Sequence, residues 1–132
     1  MSTLREDAQS VIEAALRESQ PKAALRRALG NVRLYGGRLR VIAIGKAAWS
    51  MAAAAIEEMG ERIECGLVIT KYGHAHGSLP RFTIMEAGHP MPDENSVRAA
   101  DAAIAMVQGL SVDDTVLMLI SGGGSALFEK PL

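Results

Sequence analysis

The stretch Thr115-Val116-Leu117-Met118-Leu119-Ile120-Ser121-Gly122-Gly123-Gly124-Ser125 decides the fold. After Thr115 come five apolar residues without a charge. Such a run suits a strand of a parallel sheet covered on both faces, because a strand with one wet face would alternate. Three glycines then end the run. Glycine lacks the Cβ that restricts φ, so the backbone here can turn its N–H groups toward one point. Ser125-Ala126-Leu127-Phe128 can begin a helix, whose positive end would add to that field. Strand, glycine turn and helix make a cradle for phosphate or carboxylate. The same residues also read as a tight turn with no ligand. No Gly-Lys-Ser/Thr follows, as a Walker A loop would need, and no third glycine falls at the offset of Gly-x-Gly-x-x-Gly.

Upstream, the same unit recurs. Leu39-Arg40-Val41-Ile42-Ala43-Ile44 is a short apolar run that ends at Gly45, and residues 46–59 read as a helix. Residues 66–70 form a second strand and residues 82–86 a weaker third. Between them lie about ten residues rich in Gly, His and Ser, read as a surface loop. Residues 93–108 read as a long helix with Val97, Ala100, Ile104 and Val107 on one face, capped by Asp93. At the start of the chain, residues 3–19 suit an amphipathic helix. Thr3 and Glu6 can form a capping box, and Leu4, Ala8, Val11, Ile12, Ala15 and Leu16 make one stripe. Pro21 suits the first turn of a second helix through Ala23, Leu25 and Leu29, with Gly30 as its stop and Gly36-Gly37 as a turn. Strands alternating with helices imply an α/β fold: a three-layer, Rossmann-like domain with a mostly parallel sheet, preceded by N-terminal helices.

The whole sequence of 132 residues fits one domain. Fourteen Lys and Arg face fifteen Asp and Glu, so no net field draws in nucleic acid or anionic lipid, and any bound anion has to be held locally. Cys65 is alone, which excludes an intrachain disulfide and a multi-cysteine metal site. The N-terminus is polar, without the apolar core of a secretory signal, and no apolar run approaches a membrane span; both point to the cytoplasm.

Open α/β sheets bind ligands at the carboxyl ends of their strands. Three loops lie there: Gly45-Lys46, residues 87–93, and residues 121–125. A lysine at the start of a helix opposes the helix dipole, which makes sense if an anion shares the place; Lys46 otherwise reads as a solvated surface residue. In Gly88-His89-Pro90-Met91-Pro92-Asp93 two prolines stiffen a loop carrying His89, which can serve a substrate hydroxyl or simply bond a carbonyl. His74 and His76 lack a third ligand and are discounted as a metal pair. Ser121 and Ser125 do not sit in a Gly-x-Ser-x-Gly elbow. Cys65 reads as packing, the Ala52 to Ala55 run as a close-packed helix face, and Trp49 as a core or domain-interface residue.

Four segments together resemble the N-terminal domain of the type-2 glycerate kinases, the glycerate 2-kinase and MOFRL-containing family, some of whose members carry the name hydroxypyruvate reductase. They are Ile44-Gly45-Lys46-Ala47, residues 66–74, Glu86-Ala87-Gly88-His89-Pro90-Met91-Pro92-Asp93, and residues 119–127, in the family's order and nearly spanning the chain. The resemblance implies ATP-dependent phosphorylation of D-glycerate to 2-phosphoglycerate, with ATP and Mg²⁺ as cofactors. It implies a catalytic role for Lys46 and nucleotide or phosphate binding by Ser121, Gly122, Gly123, Gly124 and Ser125. Gly45, His89 and Pro90 would lie in the substrate cleft, and no residue of the chain is assigned to a metal. Family members are much longer, with a second α/β domain and the active site between the two. Residues 1–132 then correspond to an N-terminal domain without its second domain, expected to be inactive alone and to form homodimers through exposed apolar surface. The expected partner is a small hydroxy acid, not nucleic acid or membrane. Two alternatives remain: a hydroxypyruvate or tartronate semialdehyde reductase, and a non-catalytic phosphate-binding module.

Overall fold

In the computed structural model, which describes residues 3–131, the chain runs α1 (Leu4–Glu18), α2 (Pro21–Leu29), β1 (Leu39–Ile44), α3 (Ala48–Met59), a 3₁₀ turn (Gly60–Arg62), β2 (Ile63–Lys71), β3 (Phe82–Ala87), α4 (Glu94–Val107), β4 (Thr115–Ile120) and α5 (Gly124–Leu127). The four strands form one sheet in the order β3-β2-β1-β4, and every pair is parallel. The expected α/β architecture is therefore present. No described helix is long and apolar enough to cross a membrane.

Alternation along β1 divides the core. Val41 and Ala43 point into the cluster under α2 and α3, with Leu25, Ala48, Ala52, Ala55 and Val68. Ile42 and Ile44 point into the cluster under α4 and α5, with Leu67, Ile69, Ala99, Ala103 and Leu127. Each fully buried Val, Leu or Ile contributes about 1.5–3 kcal/mol relative to exposure. The alanines of α3 let that helix lie close on the sheet, as its sequence suggests. Gly66 has a similar cause: a Cβ there would run into the Phe82 ring across the β2–β3 pair.

At the amino end of the sheet Arg38 and Asp114 form an ion pair. The Asp114 carboxylate accepts from the backbone and guanidinium of Arg38 (2.7, 2.7 and 3.1 Å) and from Ser111 N–H (2.7 Å). These donors, Arg38 first, hold its carboxyl far below the usual carboxylate range.

Several expectations are corrected. β4 is not covered on both faces: it is an edge strand, with Met118 44% and Ile120 69% exposed. A continuous apolar run states that a strand avoids polar groups; it does not state what covers it. The buried face of α4 carries Ser96, Ala99, Ala100 and Ala103, whereas Ile104 and Val107 are exposed. Small residues win the sheet-facing side because the helix approaches closely there. The helix after β1 begins at Ala48, which leaves Lys46 in the turn before it. The capping box at Thr3 and Glu6 is present, but α1 buries nothing, and Leu4, Val11, Ile12 and Leu16 are all exposed.

Candidate active site

The chain leaves β1 for β2 through α3 on one face of the sheet. It reaches β4 from β3 through α4 on the other. Between the carboxyl ends of β1 and β4 the connections therefore diverge, which opens a crevice at the switch point of the sheet. The Gly45-Lys46 turn and the Ser121–Gly124 turn form its two walls.

The walls are bonded to each other. Ser121 N–H donates to the Ile44 carbonyl (2.9 Å) and Lys46 N–H to the Gly122 carbonyl (2.9 Å). The Ser121 hydroxyl accepts from Ala47 N–H at 3.0 Å. No side chain local to α3 caps that helix, so an oxygen from the β4 turn stands at its start. Gly45 has φ +121°, and a Cβ there would clash with Ser121 Oγ and lie 2.6 Å from the Ser121 carbonyl oxygen. The turn needs glycine both for its backbone and for this approach. Thr70, wholly buried, donates its hydroxyl to the Gly45 carbonyl (2.9 Å) and fixes the turn from the β2 side.

Above this floor three residues meet. A Cβ on Gly123 (φ +88°) would lie 3.0 Å from His89 Nε2 and 3.2 Å from Lys46 Cε. Lys46 is exposed, and no carboxylate pairs with it among the described residues. The N–H groups of Gly122 and Gly123 likewise find no acceptor among the described backbone bonds. The glycine turn also borders a concavity of about 540 Å³, lined further by Ile44, Met118, Ile120 and Phe128, with Lys46 outside its lining. The helix after the turn is only the four-residue α5, so its dipole adds little and the donors themselves carry the anion field.

His89 arrives on a fixed loop. Asp93 and Ser96 form the capping box of α4. Tyr72 donates its hydroxyl to Asp93 Oδ2 and accepts from Asn95 Nδ2, both at 2.7 Å. Desolvation, then the charges of Lys46, Lys71 and His74, push the His89 imidazole below its ordinary pKa, so it is neutral at neutral pH. Pro90 is exposed on this loop, and Ser125 is exposed at the end of the glycine turn.

Three residues near the site were not singled out from the sequence as binding groups: Thr70, Lys71 and His74. His74 Nδ1 lies 3.3 Å from the Lys46 carbonyl, while His76 packs edge-on against Trp49 with ring centroids 5.1 Å apart. The signal for His74 lay in the loop's order after a strand adjoining the Lys46 strand, a register that no pattern in residues 71–76 reveals. Trp49 is half-buried and donates its indole N–H to the Gly77 carbonyl (2.9 Å).

A family model described as a domain of unknown function, DUF4147, matches residues 7–132. The chain is 43% identical over 130 residues to the D-glycerate 2-kinase of Thermotoga maritima, covering 98% of this chain and 31% of that protein. It is 43% identical over 121 residues to a putative hydroxypyruvate reductase of Agrobacterium vitis, covering 92% of this chain and 27% of the relative. The crystal structure of glycerate kinase from Thermotoga maritima superposes with a TM-score of 0.88 at 44% identity, over 95% of this chain and 30% of that one. The chain thus spans about a third of the length of the relatives it matches. The kinship that the four motifs implied is the one found, and with the shared fold it leads to one conclusion: the chain belongs to the DUF4147 family, among whose members here are proteins named glycerate 2-kinase and hydroxypyruvate reductase.

Proposed function

We propose that the protein carrying this chain phosphorylates D-glycerate at its 2-hydroxyl with ATP, and that residues 1–132 supply the N-terminal side of the active site. The observation that carries this reading is the meeting of Lys46, His89 and Gly123 at the switch point, beside N–H donors without acceptors. Phosphoryl transfer calls for positioning and charge stabilisation more than for covalent chemistry. Glycine N–H groups fit phosphate oxygens, and Lys46 can neutralise charge that develops on the transferred group. A neutral imidazole at His89 can accept a proton from the acceptor hydroxyl. Among the described residues no three His, Cys, Asp or Glu gather to hold a metal, so Mg²⁺ entering with the nucleotide would rest on phosphate oxygens and on groups outside this set. A second α/β domain, consistent with the greater length of the relatives, would close the open side of the crevice. On this reading residues 1–132 alone are inactive, the exposed apolar surface favours homodimers of the isolated piece, and the enzyme is cytoplasmic.

The reductase reading lacks support at the decisive place. A dinucleotide-binding turn keeps its glycines clear so that a pyrophosphate can approach. Here Gly45 is filled from the protein side by Ser121.

An ADP-release assay on the full-length protein tests the proposal. D-glycerate with ATP should turn over, and hydroxypyruvate with reduced nicotinamide should not. The reverse result would sink it.

A further inference from the structure

We propose that Lys71 and His74 bind the carboxylate of the acceptor hydroxy acid, as a second anion point beside the phosphate cradle of Lys46 and the glycine turn. The proposal rests on the kinase reading above.

The turn carrying these residues is held from three sides. His74 N–H closes onto the Lys71 carbonyl at 3.0 Å. Glu86 Oε1 accepts from Gly73 N–H at 3.0 Å and from Ala75 N–H at 3.2 Å. Tyr72 between them is anchored to Asp93. Neither neighbouring carboxylate is left for Lys71: Glu86 binds the turn's backbone, and Asp93 holds Tyr72 and the cap of α4. Among the described residues Lys71, half-buried, has no carboxylate within ion-pair distance. A half-buried ammonium without a counter-charge is open to a ligand anion.

His74 supplies the complementary donor. Its Nδ1 faces the Lys46 carbonyl, which can only accept, so Nδ1 carries a hydrogen and Nε2 is left for a ligand. In an imidazolium form, Nε2–H and the Lys71 ammonium would present two donors to one carboxylate. Lys46, Lys71 and His74 all lie close enough to His89 for their charges to act on its ring, so Lys71 adds a second ammonium near the one at Lys46. In a 2-hydroxy acid the carboxylate is one carbon from the reacting hydroxyl, so its binding point must adjoin the phosphoryl point. The contact between His74 and the Lys46 carbonyl makes the two points neighbours.

Steady-state kinetics on the full-length protein test this. Lys71→Met should raise KM for D-glycerate about tenfold or more, with KM for ATP and kcat within about threefold of wild type, the mark of lost acceptor binding. Lys71→Arg should recover most of the affinity, which separates a charge effect from misfolding. His74→Phe should raise the same KM. If KM for ATP rises instead, or if neither KM moves, the proposal is overturned. A second arm uses no nucleotide: NMR signals of the His74 ring followed while D-glycerate is added. They should shift in the wild type and stay still in Lys71→Met; an unmoved wild-type ring overturns the assignment. This arm also decides the matter if the wild type shows no kinase turnover, an outcome that would count against the kinase reading alone.

Discussion

Gly45 and Ser121, 76 positions apart, touch so closely that no side chain fits at Gly45: a Cβ would come 2.6 Å from the Ser121 carbonyl oxygen, on a backbone already at φ +121°. This contact joins the ends of β1 and β4 and sets the distance between the two walls of the crevice. Gly45→Ala adds both the clash and a strained conformation, so it should cost on the order of 2–4 kcal/mol of stability. Urea unfolding of the chain reads this directly. A loss below about 0.5 kcal/mol would mean that the turn can open, and the site with it.

Lys46 should behave in the opposite way. Its side chain is exposed and makes no ion pair among the described residues, so Lys46→Met should leave the unfolding midpoint nearly unchanged. In the full-length enzyme it should lower kcat by about a hundredfold or more, the usual scale for losing a group that stabilises transition-state charge. Unchanged kcat would remove Lys46 from the chemistry.

The His89 imidazole provides a spectroscopic test. Desolvation and the nearby positive charges hold its pKa below the ordinary value. An anion bound beside it favours the protonated form and should raise that pKa, so sulfate binding should take up a proton and tighten as pH falls through the interval between the free and bound values. Lys46→Met should also raise the pKa without any ligand. NMR titration of the ring with and without sulfate checks both; a pKa insensitive to both changes would place His89 outside the anion's field.

Asp114 predicts the acid limb of stability. Its folded pKa is depressed, chiefly by Arg38 and then by the Ser111 and Arg38 N–H groups. A depressed carboxyl stabilises the fold above its unfolded pKa of about 3.9, and that contribution fades as pH falls toward the folded value. Asp114→Asn should lower the melting temperature at pH 7 and flatten the loss of stability below about pH 4 relative to wild type. Parallel melting curves for both proteins at pH 7 would show the mutation to be silent if this linkage were absent.

Much of this molecule is legible from local pattern. The apolar runs at Leu39–Ile44 and Thr115–Ile120, each closed by glycine, mark strands that end in tight turns, and Asp93 marks the start of α4, because these features depend on neighbours a few residues away. The three loops at the strand ends follow from the parallel architecture, so Lys46, His89 and the glycine turn could be named from the sequence. Long-range packing was not legible. The apolar stripe of α1 and the apolar run of β4 are plain in the sequence, yet α1 buries nothing and β4 leaves Met118 and Ile120 exposed, because amphipathicity records a preference for burial and not the presence of a partner. The alanine face of α4 was missed because sheet distance selects small residues over the larger ones that dominate a hydrophobic pattern. Register placed Thr70 under Gly45 and His74 against Lys46, and register is a property of paired strands. The sequence by itself thus determined which residue types stand at the ends of the strands. Only the tertiary structure decided that Gly123, Lys46 and His89 share one point, since that meeting depends on the strand order β3-β2-β1-β4 and on the opposite sides taken by α3 and α4.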